Sequence, residues 1–251
     1  MTAVTQRIRA YWDIDAVTYD DSPGHQPRTA FELAAWSAAL SRLLPPRPAR
    51  VLDVGAGTGF LSIQIAKLGY EVCAIDLSPG MLDRLRDNAR RAGVKVATTE
   101  GDASAPPLER FDAVVERHVL WTLPDPAAAI EAWRRAAPEG RLVLLESLWG
   151  TSAGRSEQLR RAVHSSLRRL RNEQPDHHAE YESAVRDQLP LGAGTPPERL
   201  VSLVEASSWG IARIERLRDV EWATRRAFPS AADRLVGVAP RFAVIGGRDL
   251  P

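Results

Sequence analysis

The chain has little cysteine, little lysine and no long apolar run, and each scarcity narrows what it can do. Cys73 is the single cysteine, so an internal disulfide is impossible, and its place inside an apolar run assigns it to core packing. Lys67 and Lys95 are the only lysines. The remaining basic residues are arginine, a bias that reads as codon composition and carries no functional weight. No apolar stretch approaches the roughly 20 residues that span a bilayer, and the N-terminus lacks a signal peptide's unbroken apolar core. A cytoplasmic location with no membrane partner is therefore expected. Net charge is +1, without a basic stripe, so nucleic acid is not an expected partner. His164, His177 and His178 make no convincing ligand set with nearby acids, and no metal is expected. There is no internal repeat and no low-complexity tract.

At 251 residues the chain suits one α/β domain with elaborations. Its most informative stretch is Val51-Leu52-Asp53-Val54-Gly55-Ala56-Gly57-Thr58-Gly59-Phe60, followed after one helix by Tyr70 to Asp76. A short apolar strand enters a glycine turn, a helix starts there, and a second apolar run ends in a carboxylate, which spells the opening of a right-handed βαβ unit. Glycine at the turn lets backbone approach a ligand closely. Asp76 stands about twenty residues past the first glycine, the distance at which such units offer an acid to a ribose diol. A dinucleotide fingerprint wants a small residue where Phe60 stands.

The D-x-G-x-G-x-G spelling of residues 53–59 resembles motif I of the class I S-adenosylmethionine-dependent methyltransferases. Ser78-Pro79-Gly80-Met81-Leu82 resembles that superfamily's continuation after the ribose acid, and Gly101-Asp102-Ala103 its turn after the third strand. Phe111 to Val115 and Gly140 to Leu144 resemble the entries to its fourth and fifth strands, with Glu139 in place of a glycine. A weaker likeness runs through Tyr11 to Asp20. The resemblance implies S-adenosyl-L-methionine as cofactor and S-adenosyl-L-homocysteine as product. It implies cofactor contacts from Asp53, Gly55, Ala56, Gly57, Thr58 and Gly59 at the turn, and from Asp76, Leu77, Ser78 and Met81 after the second strand. Gly101, Asp102 and Ala103 would meet the adenine. Glu116 and Arg117 end the fourth strand, at the sheet edge that lines the ligand crevice. Tyr11, Trp12 and Tyr19 could cover the sulfonium or pack on the sheet.

The expected fold is α/β, a Rossmann-like, mostly parallel sheet with a final antiparallel strand and helices on both faces. Residues 1–44 are expected as an N-terminal helical cap or lid, broken at Asp21-Ser22-Pro23-Gly24-His25-Gln26-Pro27 by prolines and glycine. Residues 45–150 form the cofactor-binding core, with strands at 50–54, 70–76, 94–99, 111–116 and 141–147. An arginine-rich helical insertion, including Arg160, Arg161, Arg168, Arg169 and Arg171, covers substrate within 151–194. Residues 195–251 hold a helix opened by a capping box at Thr195-Pro196-Pro197-Glu198 and the last two strands.

His118 is a general base or a structural histidine, and His25 a second base, a lid element or an ordinary loop residue. The chain lacks the D/N/S-P-P-Y/F/W signature of amino-methylating nucleic-acid enzymes, and a lone cysteine cannot supply the two thiols that cytosine C5 methylation of RNA uses. The expected activity is thus methyl transfer from S-adenosylmethionine to an oxygen or nitrogen of a small molecule, a secondary or specialised metabolite, by a monomer or homodimer. The alternatives are a nicotinamide-dependent oxidoreductase on the same sheet and a catalytically idle cofactor-binding scaffold.

Overall fold

The computed structural model describes residues 2–21, 25–107, 109–150, 183–228 and 230–247, with positions 159, 162, 163 and 166. A seven-stranded sheet runs β3-β2-β1-β4-β5-β7-β6, from β1 (Arg50–Val54), β2 (Glu71–Asp76), β3 (Ala97–Glu100), β4 (Ala113–Arg117), β5 (Arg141–Ser147), β6 (Ala212–Arg216) and β7 (Arg241–Gly247). The first five pair in parallel, and β7 is antiparallel to both of its neighbours. This is the Rossmann-like methyltransferase order. The chain reverses between β4 and β1 in the spatial order, so the crevice opens at the carboxyl ends of the central strands.

Side-chain alternation sorts the strands into two apolar layers. Leu52, Val54, Val114, Leu142, Leu144 and Val244 face one layer, closed by Trp133 and Trp209. Val51, Val115, Val143, Leu145 and Ile245 face the other. Trp133, fully buried on the helix Pro126–Ala136, donates its indole N–H to the Ala103 carbonyl at 2.7 Å. That bond fixes the turn after β3 at the crevice mouth.

The helix Ala30–Leu43 opens on a capping box in which Thr29 and Glu32 bond reciprocally. Its Trp36, Ala39, Leu40 and Leu43 are buried in the second layer. It is a core helix, which corrects the expectation of a separate cap reaching residue 44: the apolar 3.6-residue period there serves the sheet. The helix Ala3–Asp15 lies outside the layers. It is tied to the helix Pro79–Ala92 by Asp13, whose Oδ1 accepts from Ser78 Oγ at 2.5 Å and from the Gly80 N–H at 3.1 Å.

Two strands begin two or more residues later than predicted, and β2 one residue later. Phe111 turns its ring into the core and gives its N–H to the Ala136 carbonyl, so β4 starts at Ala113. Val94 packs with the helix Pro79–Ala92, so the edge strand β3 starts at Ala97. The helix Arg218–Ala227 is absent from the sequence reading because its acidic and basic residues mask a narrow buried stripe of Val220, Ala223 and Thr224. Ser22, Pro23 and Gly24, most of the arginine-rich segment and His164, His177 and His178 lie outside the described residues. No helix among the described residues is long and apolar enough to cross a membrane.

Candidate functional site

At the carboxyl edge, the turn after β1, the ends of β2 and β4, and the helix Ala3–Asp15 enclose a cleft with about 720 Å³ of empty space, part of it open to solvent. Ligand clefts commonly span about 300–1,000 Å³. Gly55, Gly57, Asp76, Leu77, Met81, Asp102 and Ala103 form one wall, and Arg117, His118, Val119, Thr122, Leu123 and Pro124 another. Thr5, Ile8 and Trp12, one stripe of the first helix, close the top with Tyr19. A smaller adjoining recess of about 320 Å³ is bordered by Tyr19, Asp53, Ala56, Thr58, Phe60 and Arg117.

Gly57 has φ +55°, a left-handed conformation, and a Cβ built there would meet nothing within 4 Å. Gly55 differs, since a Cβ there would lie 2.0 Å from Val119 Cγ2. The first glycine is required by packing, and the second keeps open the space a ligand would fill. Asp76 Oδ2 accepts the Gly57 N–H at 2.8 Å, and Oδ1 accepts the Ser78 N–H at 2.9 Å. A carboxylate has about four lone-pair positions, so acceptor capacity remains for the hydroxyls of a diol. Burial pushes its pKa up to about 6, against the hydrogen bonds from Ser78 and Gly57. Asp102 Oδ1 is taken by the N–H and hydroxyl of Ser104, which sets the carboxylate at the cleft's end.

The cap is fastened to the glycine turn at Thr58, whose Oγ1 accepts from Gln26 Nε2 at 3.2 Å and donates to Asp20. Asp20 Oδ1 accepts from Thr58 Oγ1 at 2.6 Å and from Gln26 Nε2 at 3.1 Å, and Oδ2 accepts from Asn88 Nδ2 at 3.0 Å. Tyr19, next to it, stacks on His25 with ring centroids 4.0 Å apart.

The second wall is built by strand register. Glu116 lies opposite Leu144, and Arg117 opposite Leu145. His118 and Glu146 therefore share the face of Leu144, while Arg117 points to the other, where it covers Phe60 at 4.7 Å and Trp36 at 5.6 Å. His118 Nδ1 lies 2.9 Å from Glu146 Oε2, and the imidazole borders the cleft. With Nδ1 held beneath, Nε2 is the nitrogen left to face the ligand space. His118 has φ +59°, alone among described non-glycine residues in being left-handed, and such strain collects at functional positions. Glu116 steadies this turn, its Oε2 accepting the Val119 N–H at 2.8 Å.

Burial, reinforced by Arg117 and Arg241, holds the His118 pKa well below the ordinary imidazole range. Burial raises the carboxyls of Glu146 and Glu116. The imidazole is therefore neutral near pH 7, with one nitrogen free to accept a proton.

Several residues expected at the site are placed elsewhere. Glu116 is fully buried beneath the cleft. Ser78 caps its helix by accepting the Met81 N–H at 3.0 Å. Gly59 packs on Leu85, Gly101 on Ile75, and Tyr11 joins an apolar cluster with Ile8, Val185 and Leu189. None of these borders the main cleft. His25 is also outside it, its Nδ1 2.7 Å from the Tyr19 carbonyl. Asp53 accepts from Ser62 Oγ at 2.5 Å and braces the turn from below, its pKa pushed up to about 7 by burial. The expected capping box at Thr195 does not form. Pro196 is the N-cap, and Thr195 Oγ1 instead donates to Glu146 Oε2 at 3.1 Å. Glu146 and Thr195 are the functional neighbours that sequence reasoning missed. The signal for Glu146 was its position two residues past Leu144 on a strand paired with β4.

Residues 52–144 match the family model described as a methyltransferase domain. A ubiquinone biosynthesis O-methyltransferase of Xanthomonas axonopodis pv. citri (strain 306) is 38% identical over 117 residues, covering 45% of this chain and 49% of that protein. A namesake from Cereibacter sphaeroides (strain ATCC 17029 / ATH 2.4.9) is 33% identical over 117 residues, covering 46% and 47%. The chain thus spans about half the length of the curated relatives it matches. Among solved structures, the magnesium protoporphyrin IX methyltransferase of Synechocystis PCC 6803 with bound S-adenosylmethionine superposes with TM-score 0.55, at 15% identity and over 98% of each chain. The geranyl diphosphate C-methyltransferase of Streptomyces coelicolor A3(2) superposes with TM-score 0.60, at 13% identity, over 99% of this chain and 98% of that one.

Proposed function

We propose, from a chain that belongs to the class I S-adenosylmethionine-dependent methyltransferases, that it methylates a hydroxyl oxygen of a small molecule. The observation that carries this reading is His118, its Nδ1 2.9 Å from Glu146, on the cleft that Gly57 and Asp76 border. When bound, S-adenosylmethionine supplies a methyl group activated by positive sulfur. The open space at Gly57 and the spare acceptor capacity of Asp76 fit its amino-acid and ribose parts, and Asp102 and Ala103 would hold its adenine. His118 withdraws the acceptor's proton through Nε2, and Glu146 orients the ring. Trp12, Ile8 and Tyr19 exclude water and align the acceptor, an effect that supplies several kcal/mol in well-oriented reactions. A cytoplasmic enzyme acting on a specialised metabolite, with residues 1–28 as the lid, completes the proposal. His25 serves the lid through Tyr19.

The nicotinamide alternative is disfavoured by Phe60, whose ring packs edge-on against Trp36 at 5.1 Å where a dinucleotide turn needs a small residue. Incubation with methyl-labelled S-adenosylmethionine and fractionated hydroxylated metabolites tests the proposal. Label recovered as a methyl ether supports it. Label recovered only on nitrogen or carbon contradicts the oxygen assignment.

Asp76→Ala should weaken S-adenosylhomocysteine binding by about 10- to 100-fold, the loss expected for charge-assisted hydrogen bonds. Unchanged affinity in calorimetry would remove Asp76 from the site. The pH dependence follows from the same carboxyl. Binding favours its ionised form, so affinity is full above about pH 6 and declines as pH falls below it. Burial holds the His118 pKa well below the ordinary imidazole range, so the first effect of falling pH should be a rise in the KM for S-adenosylmethionine while kcat holds.

Asp20→Ala removes the hydrogen bond to Thr58 in the turn, the bond to Asn88 on the helix Pro79–Ala92 and the bond to Gln26 within the cap. Cofactor affinity should fall about tenfold, equivalent to about one such bond to a charged group. An unaltered Kd would show that the cap does not brace the turn.

A further inference from the structure

Three hydrogen bonds run in series beneath His118. Trp149 Nε1 donates to Thr195 Oγ1 at 3.0 Å, Thr195 Oγ1 donates to Glu146 Oε2 at 3.1 Å, and Glu146 Oε2 lies 2.9 Å from His118 Nδ1. The direction of the series is fixed at its far end, because an indole nitrogen can only donate. Thr195 receives the indole proton on its oxygen and turns its own proton to Glu146 Oε2. That oxygen is thereby an acceptor. A proton on Oε2 would make that oxygen a weaker acceptor for the threonine proton, so the arrangement favours any proton Glu146 carries on Oε1, which has no hydrogen-bond partner among the described residues. Oε2 then accepts from His118, which places the imidazole proton on Nδ1 and leaves the Nε2 lone pair toward the cleft.

The backbone holds the two donor segments together. A Cβ at Gly150 would lie 1.9 Å from the Ala193 carbonyl oxygen, so the chain after β5 and the loop before Thr195 touch main chain to main chain. Thr195 is fully buried, as is the Glu146 side chain, so water does not compete for these bonds. We propose that Trp149 and Thr195 are positioning residues that, through Glu146, lock His118 as the Nδ1–H tautomer. The catalytic meaning of the lock rests on the reading that His118 takes the acceptor's proton, since the opposite tautomer presents an N–H donor to the cleft and cannot act as base.

The test is a long-range proton–nitrogen NMR spectrum of the full chain, with the His118 signals assigned by their loss in His118→Gln. The wild type and Thr195→Ser should show a protonated Nδ1. Thr195→Val, which keeps the volume and removes the hydroxyl, should shift population toward Nε2–H. Trp149→Phe should do so more weakly, and it provides the same readout if Thr195→Val does not fold. Glu146→Gln keeps one oxygen, which Thr195 and His118 both meet as an acceptor, and should therefore retain the Nδ1–H tautomer. Turnover of Thr195→Val should fall about tenfold or more with unchanged KM for S-adenosylmethionine and be restored in Thr195→Ser, as expected for a lost general base. A wild type with the proton on Nε2, or an Nδ1–H population undiminished in both Thr195→Val and Trp149→Phe, overturns the proposal. A tautomer shift with undiminished turnover upholds the lock and instead removes His118 as the base.

Discussion

Gly57→Val is expected to abolish measurable binding of S-adenosylhomocysteine, a Kd rise of at least about 100-fold, while the sheet remains folded. Two costs combine at this position. Its φ of +55° is one that a β-branched residue adopts only under strain, on the order of 1–3 kcal/mol. The new side chain also projects into the open space beside Asp76 that the ligand would fill, and it displaces the N–H that Asp76 Oδ2 accepts at 2.8 Å. The fold survives because that Cβ meets no protein atom within 4 Å. Gly57→Ala should be intermediate, keeping most of the strain without the branch. Calorimetry with a circular-dichroism control separates the two effects. A valine variant that binds normally would remove the turn from the cofactor site.

His118→Ala is expected to lower turnover by about 10²-fold or more while cofactor affinity barely changes, the usual loss for a general base. In the proposed site Asp76 and the glycine turn would hold the cofactor independently of the imidazole, so binding is expected to be spared. Methyl transfer to a hydroxyl leaves a proton to be removed, and the Nε2 side of His118 is the basic position that the cleft offers. The deficit should shrink as pH rises for an acceptor that ionises by itself. Loss of cofactor affinity with normal turnover at saturation would make His118 structural and transfer proton removal to bulk solvent.

The sheet and one wall of the cleft were legible because both are local in sequence. Residues 51–59, 76–82 and 101–103 each form one turn between a strand and the next element, and local turn chemistry fixes where their side chains point. The same locality misled at Thr195, where a capping-box spelling is overridden by Glu146 from β5 and Trp149 beyond it. Glu116 was misplaced along its strand and not by face. It and His118 share a face, but only His118, carried past the strand end by its left-handed backbone, reaches the cleft. The cap's boundary failed for a related reason. An apolar period in residues 30–43 shows that a face is buried without naming the layer that buries it, and Trp36 and Leu40 join the sheet. Asp20 was invisible because its partners Thr58 and Asn88 are far along the chain.

The account's central claim, that the cleft over Gly57 and Asp76 is an S-adenosylmethionine site, is tested most directly by parallel calorimetric titrations with S-adenosylhomocysteine and NADH. One-to-one binding of S-adenosylhomocysteine, with no heat from NADH, is the predicted result. Saturable binding of NADH, with none of S-adenosylhomocysteine, would contradict it.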